Sequence, residues 1–96
     1  MAISQPIQHC KRVTLTEEAD ITLDVYSEAF IVKNYSESDI YVTFGDAVDE
    51  ETAIRIMPLA GQVCFINAKE GETNPKSNKV RVKGTGEVEV QAIQWQ

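Results

Sequence analysis

His9 and Cys10 stand side by side near the start of the chain, and they are the first residues whose types suggest chemistry. A cysteine nucleophile needs a base within hydrogen-bond reach and a third group that orients the base. Neighbours on an extended strand point to opposite faces, so this order keeps the imidazole and the thiol apart. His9 with Cys10 and Cys64 makes at most three zinc ligands, in no recognised spacing. Asp46, Asp49, Glu50 and Glu51 form an acidic run. It lacks the alternating ligands and central glycine of an EF-hand loop, and its plain reading is a solvated loop. Gly84-Thr85-Gly86 is no phosphate loop, because no helix follows to present its amides. Asn34-Tyr35-Ser36 matches a glycosylation sequon, which carries meaning only in a secreted chain. These residues predict no catalytic centre, no metal site and no cofactor.

The elements that would position any site follow from composition and periodicity. The chain has 96 residues, 43% of them hydrophobic, which fits one domain spanning residues 1–96, with 1–6 as an N-terminal arm. So short a chain buries only about 60–65% of its unfolded surface, and a large internal cavity would compete with the core. The net charge is −6. Residues 1–60 hold eleven acids against four Lys/Arg, and no basic stripe stands free of acids. The footprint that nucleic acid requires is missing, so no nucleic-acid partner is expected. Met1 to Val13 has no charged segment leading into an apolar run, so no signal peptide is expected. No apolar stretch nears the roughly 18 residues of a membrane helix, so no membrane partner is expected either. Two cysteines are too few for a disulfide framework; Cys64 reads as a buried strand residue, and both thiols are expected reduced.

Periodicity of two dominates the chain. Ile21, Leu23 and Val25 alternate with polar residues; Ile40, Val42 and Phe44 oppose Tyr41 and Thr43. Val63-Cys64-Phe65-Ile66 reads as a run buried on both faces. Turn residues separate eight predicted strands at about 7–15, 20–25, 28–35, 39–44, 52–58, 62–68, 79–83 and 87–95. The pattern predicts an all-β, single-domain antiparallel sandwich, jelly-roll-like or immunoglobulin-like. Only Asp46 to Ala53 has room for a helical turn. The polar stretch Lys69 to Asn78 reads as a strand connection and as the most mobile candidate for recognition.

The last two strands suggest a hairpin closed by Gly84-Thr85-Gly86. In that register Lys83 faces Glu87 and Arg81 faces Glu89, while Val82 faces Val88 and Val80 faces Val90. Gly86 supplies the left-handed residue that three-residue loops need. After Val90 the alternation falters at Ala92, Ile93 and Trp95. A bulge that shifts the phase is the simpler reading, and coverage of both faces by a partner is the other.

Three strings, "VKNYSESDIYVTFGD", "AIRIMPLAGQVCFIN" and "NKVRVKGTGEVEVQ", resemble in that order small uncharacterised proteins encoded in phages and prophages of low-GC Gram-positive bacteria. The likeness runs from about Val32 to Gln91 and is most specific over Val80 to Gln91. It implies a structural or assembly role in the virion through protein–protein contacts, self-association included. It also implies residence in the host cytoplasm during assembly and then in the particle. It transfers no catalytic residues. The expected contacts are Trp95, Ile93 and the N-terminal Ile3 and Ile7. A carbohydrate- or small-ligand-binding module is the alternative, with Tyr26, Tyr35, Tyr41 and Asp39 as its candidate set.

Overall fold

Alternating side chains give each strand one apolar face, and two sheets close over those faces. The computed structural model of the chain describes residues 9–66 and 75–93. Its strands are β1 (Cys10–Leu15), β2 (Ala19–Ser27), β3 (Ala29–Asn34), β4 (Ile40–Thr43), β5 (Ile54–Ile56), β6 (Gly61–Phe65), β7 (Ser77–Lys83) and β8 (Gly86–Ile93). Among the described residues no helix is long and apolar enough to cross a membrane.

Sheet I has the order β1-β8-β3-β6 and sheet II the order β2-β7-β4-β5. All their pairings are antiparallel. Each strand of the first half pairs with its mirror in the second: β1 with β8, β2 with β7, β3 with β6, β4 with β5. A long antiparallel ribbon rolled into two layers has this pairing, and it is the strand order of a jelly roll. The expected eight-stranded sandwich is therefore the architecture found, and of the two expected topologies the order matches the jelly roll.

The core lies between the sheets. Sheet I contributes Leu15, Phe30, Val32, Cys64, Val88, Val90 and Ala92; sheet II contributes Ile21, Leu23, Ile40, Val42, Ile56, Val80 and Val82. The Phe30 ring meets Phe44 with centroids 5.7 Å apart. Burying each large aliphatic side chain stabilises by roughly 1.5–3 kcal/mol. β-branched residues dominate the set, as a pleated two-layer core favours.

The terminal hairpin is corrected. β7 lies in sheet II and β8 in sheet I, so Val80–Lys83 and Glu87–Val90 are not side-by-side neighbours. Arg81 sits between Asp20 and Thr43, and Glu89 between Arg12 and Lys33. Gly84-Thr85-Gly86 carries the chain from one layer to the other. Two facing strands on opposite sides of a core show the same valine alternation as two paired ones. The charged residues also have other partners. Arg81 bonds Glu18 and Asp20, Lys83 lies 3.6 Å from Glu50, and Arg12 lies 3.4 Å from Glu87 and 3.6 Å from Glu89. The need for glycine at 86 survives for a different reason. Its φ is 118°, and a Cβ there would collide with the Ser36 side chain.

A second correction concerns the end of β8. Its register runs without a shift from Val88 to Ile93 against β3, so no bulge intervenes before Ile93. Ala92 faces the core and Ile93 faces outward. A third concerns β6, which is the outer strand of sheet I rather than a strand covered on both faces. Cys64 is buried, but Val63 and Phe65 are exposed.

Candidate functional site

The outer face of sheet I is assembled row by row from its registers. One row reads Ile93, Ala29, Phe65; the next reads Cys10, Gln91, Ile31, Val63. The row after that reads Arg12, Glu89, Lys33, Gly61, and Thr14 with Glu87 follows. Half of this face is apolar and half is charged. The apolar half ends at β6, the outer strand of sheet I among the described residues, where Phe65 is 57% exposed and Val63 43%.

Glu89 organises the charged half. The Cys10 thiol donates to its Oε1 at 2.9 Å and the Tyr35 hydroxyl to its Oε2 at 3.0 Å. Arg12 and Lys33 stand 3.6 and 4.0 Å away. The Arg12 guanidinium also lies over the Tyr35 ring, 4.6 Å from its centroid. The bond from Cys10, then that from Tyr35 and the two cations, hold the Glu89 carboxyl below its ordinary pKa. Burial first, and the Glu89 carboxylate second, push the Cys10 thiol up. A thiol held protonated is a poor nucleophile. The cluster therefore reads as a clamp across β1, β8 and the end of β3.

Asn34 fixes the adjoining rim. Its side chain is buried and every polar atom of the residue is bonded. The amide nitrogen donates to the carbonyls of Ser38 (2.7 Å) and Ile56 (3.0 Å), and Oδ1 accepts from the Ser36 amide and hydroxyl. The main chain of Asn34 donates to Ala60 O and accepts from Leu59 N. This side chain has no room for a glycan, so the sequon match has a structural explanation instead. The bonds hold the turn Met57-Pro58-Leu59-Ala60 against the sheet. Leu59 adopts φ 63°, and its side chain is 82% exposed. Met57 is exposed beside it.

The other sequence candidates disperse. The bond from Ala92 N to His9 O continues the β1–β8 ladder, and Cys10 points to Glu89 on the outer face. Cys10 and Cys64 are free thiols on the two edge strands of sheet I, one outward and one in the core. Three strand spacings, roughly 14 Å, separate those edges, too far for a disulfide. Burial pushes the Cys64 thiol up to about 11. Within the acidic run, Asp49 accepts bonds from Glu51, Thr52 and Ala53, and Glu50 pairs with Lys83. Among the described residues no group of three or more His, Cys, Asp or Glu converges on a metal position. Tyr35 belongs to the sheet I face, whereas Tyr41 lies on sheet II beside Arg55, which binds Asp39 at 2.6 Å. Tyr26 is exposed on β2, two strands from Tyr41, so the four residues proposed for sugar recognition are spread over both sheets. A cleft of about 570 Å³ lies where the sheets part, lined by Phe44, Phe65, Asp46, Thr52 and Lys76 among others. Trp95, Ile3 and Ile7 lie outside the described residues, as does residue range 69–74 of the polar connection. Ile93 is half-buried on the apolar row, and its carbonyl accepts from the Ser27 hydroxyl.

Two features escaped the sequence reading: the exposed edge of β6 and the Glu89 cluster. Nothing local in Gly61–Phe65 says which strand ends a sheet, although its lack of any charge is a visible signal. In sequence Arg81 offers Glu89 a cross-strand partner as good as Arg12 and Lys33, which are its neighbours in the sheet. The chain matches no protein-family model, no curated protein and no solved structure.

Proposed function

We propose that this protein is a structural or assembly component of a phage or prophage virion and acts through protein–protein contacts. The observation that carries this reading is the apolar half of the sheet I face. Ile31, Val63, Phe65 and Ile93 are contiguous there. Apolar surface placed together and rimmed by charge marks a contact site, whereas scattered exposed apolar residues do not. The jelly-roll strand order supports the setting by fold analogy alone, since capsid and lectin domains both use it. The resemblance over Val32 to Gln91 supports it from the sequence side. Purified particles from a producing strain test the reading. The expected result is the chain inside the particles, cross-linked through a photoreactive residue placed at Phe65. Particles that assemble normally without the chain, and never contain it, would contradict the proposal.

A further inference from the structure

We infer that two copies of this chain join β6 to β6, antiparallel about a two-fold axis at Val63, so that two copies of sheet I become one continuous sheet. This deepens the contact reading of the same surface and rests on it.

The four edge strands are not alike. β1 carries Lys11 and Arg12; β2 carries Asp20 and Asp24 and shifts register between Thr22 and Ser27; β5 has three residues with Arg55 in the middle. Charge, irregularity and shortness are the usual protections of an edge. β6, Gly61-Gln62-Val63-Cys64-Phe65, has no charge, no proline and an unbroken register.

Its bonding groups have a definite phase. Asn34 N donates to Ala60 O at 2.9 Å, and Ile66 N donates to Glu28 O at 3.0 Å. Antiparallel ladders alternate, so the even-numbered residues of β6 bond to β3. Gly61, Val63 and Phe65 then direct their N–H and C=O groups away from the sheet. A pairing centred on Val63 satisfies all of them: Gly61 with Phe65, Val63 with Val63, Phe65 with Gly61. A one-residue slip would offer groups already bonded to β3, and a two-residue slip leaves an end unpaired.

The side chains fit the same register. Val63 meets Val63 on the axis. Phe65 falls beside Gly61 of the second copy, the one position on β6 without a side chain. The stem of Lys33 already covers Gly61, its Cγ standing 3.2 Å from where a Cβ would be. That stem gives the incoming ring an apolar bed, while its ammonium lies 4.0 Å from Glu89 on the far side of β3. The match of Phe65 to Gly61 repeats at both ends, which is a property of two-fold self-pairing and not of an arbitrary partner strand. So short an edge buries less than the ~1,200 Å² of a stable interface, which puts the pairing in the range of about 1 μM to 1 mM.

Sedimentation equilibrium of the full chain from about 10 μM to 1 mM tests this. The expected result is a reversible monomer–dimer equilibrium. Val63→Pro removes an outward N–H without touching a bond to β3 and is expected to weaken the dimer at least tenfold. Thr22→Lys on sheet II is expected to leave it unchanged. Val63→Cys, in a chain with Cys10 and Cys64 replaced by alanine and checked for a cooperative melt, reads the register. Residues facing each other in a bonded antiparallel pair have Cα atoms about 5.5 Å apart, so the variant should oxidise to a covalent dimer. A monomer at 1 mM with no covalent dimer overturns the inference, as does a dimer indifferent to Val63→Pro. A chain that stays monomeric but cross-links from position 65 to another particle protein overturns the self-pairing and leaves the contact reading standing. A chain that pairs through β6 yet is absent from particles does the reverse.

Discussion

On the outer face of sheet II, Lys79 and Arg81 meet Asp20, Arg81 also meets Glu18, and Lys83 meets Glu50. On the outer face of sheet I the same kind of pairing, around Glu89, stops halfway across. Beyond it lie Ile31, Val63, Phe65 and Ile93, and then an edge that no described strand pairs. One core holds both sheets, so the difference between the faces is not required by folding. On sheet II the cations of β7 are matched by acids of the same chain, and the exposed Tyr26 stands apart from them on β2. Sheet I instead ends in apolar side chains and in amides that no described strand pairs.

Several substitutions would break or sharpen this contrast. The largest effect is expected at Asn34. Asn34→Ala leaves the Ile56 and Ser38 carbonyls and the Ser36 amide without their partner, and should cost about 3–4 kcal/mol in chemical denaturation. It should also free the Met57–Ala60 turn, because Asn34 anchors that rim to sheet I. Next comes Gly86→Val, at about 3 kcal/mol, since the new Cβ meets Ser36 at a φ that valine avoids. Thr85→Val, at an exposed position one residue away, should change stability by no more than about 0.5 kcal/mol. Equal losses for the two would contradict the layer crossing.

Smaller effects separate the two faces directly. Phe65→Ser is expected to hold stability within about 1 kcal/mol and to abolish self-association, because its ring is more than half exposed. Arg81→Ala on sheet II is expected to do the opposite, lowering the melting temperature at pH 7 with association unchanged. The smallest effect is expected at Glu89. The folded protein holds this carboxyl below the unfolded value of about 4.3. Its contribution is therefore complete above about pH 5 and is lost as pH falls through the depressed folded pKa. Glu89→Gln should melt below the parent at pH 7 and converge with it in acid. A difference that persists below the folded pKa would show that the clamp acts through packing instead of charge.

The strands were legible because alternation is a local property: Ile40 and Val42 inward with Tyr41 outward is written in three consecutive residues, and the structure keeps it. Adjacency was not legible. Val80 and Val82 can match Val88 and Val90 as cross-strand pairs or across the core, and the sequence pattern is the same in both cases. Charge did not break the tie, because Arg81 could be opposed by Glu89 or by Asp20. Ile93, an expected contact, shares the outer row with Ala29 and Phe65. Val63 and Phe65 read as interior residues because an uninterrupted apolar run looks identical whether a strand is central or terminal in its sheet. What exposes them is the strand order, which is a property of the whole chain.

The most direct measurement is amide hydrogen exchange across β6 at two protein concentrations. At low micromolar concentration Gln62 and Cys64 should be protected by β3, while Gly61, Val63 and Phe65 exchange freely. Near 1 mM the three odd-numbered amides should become protected as well, with no change at the β2 and β5 edges. Odd-numbered amides that exchange equally fast at both concentrations, or protection that spreads alike over every edge, would contradict the claim that β6 is the edge this molecule leaves open for a second copy.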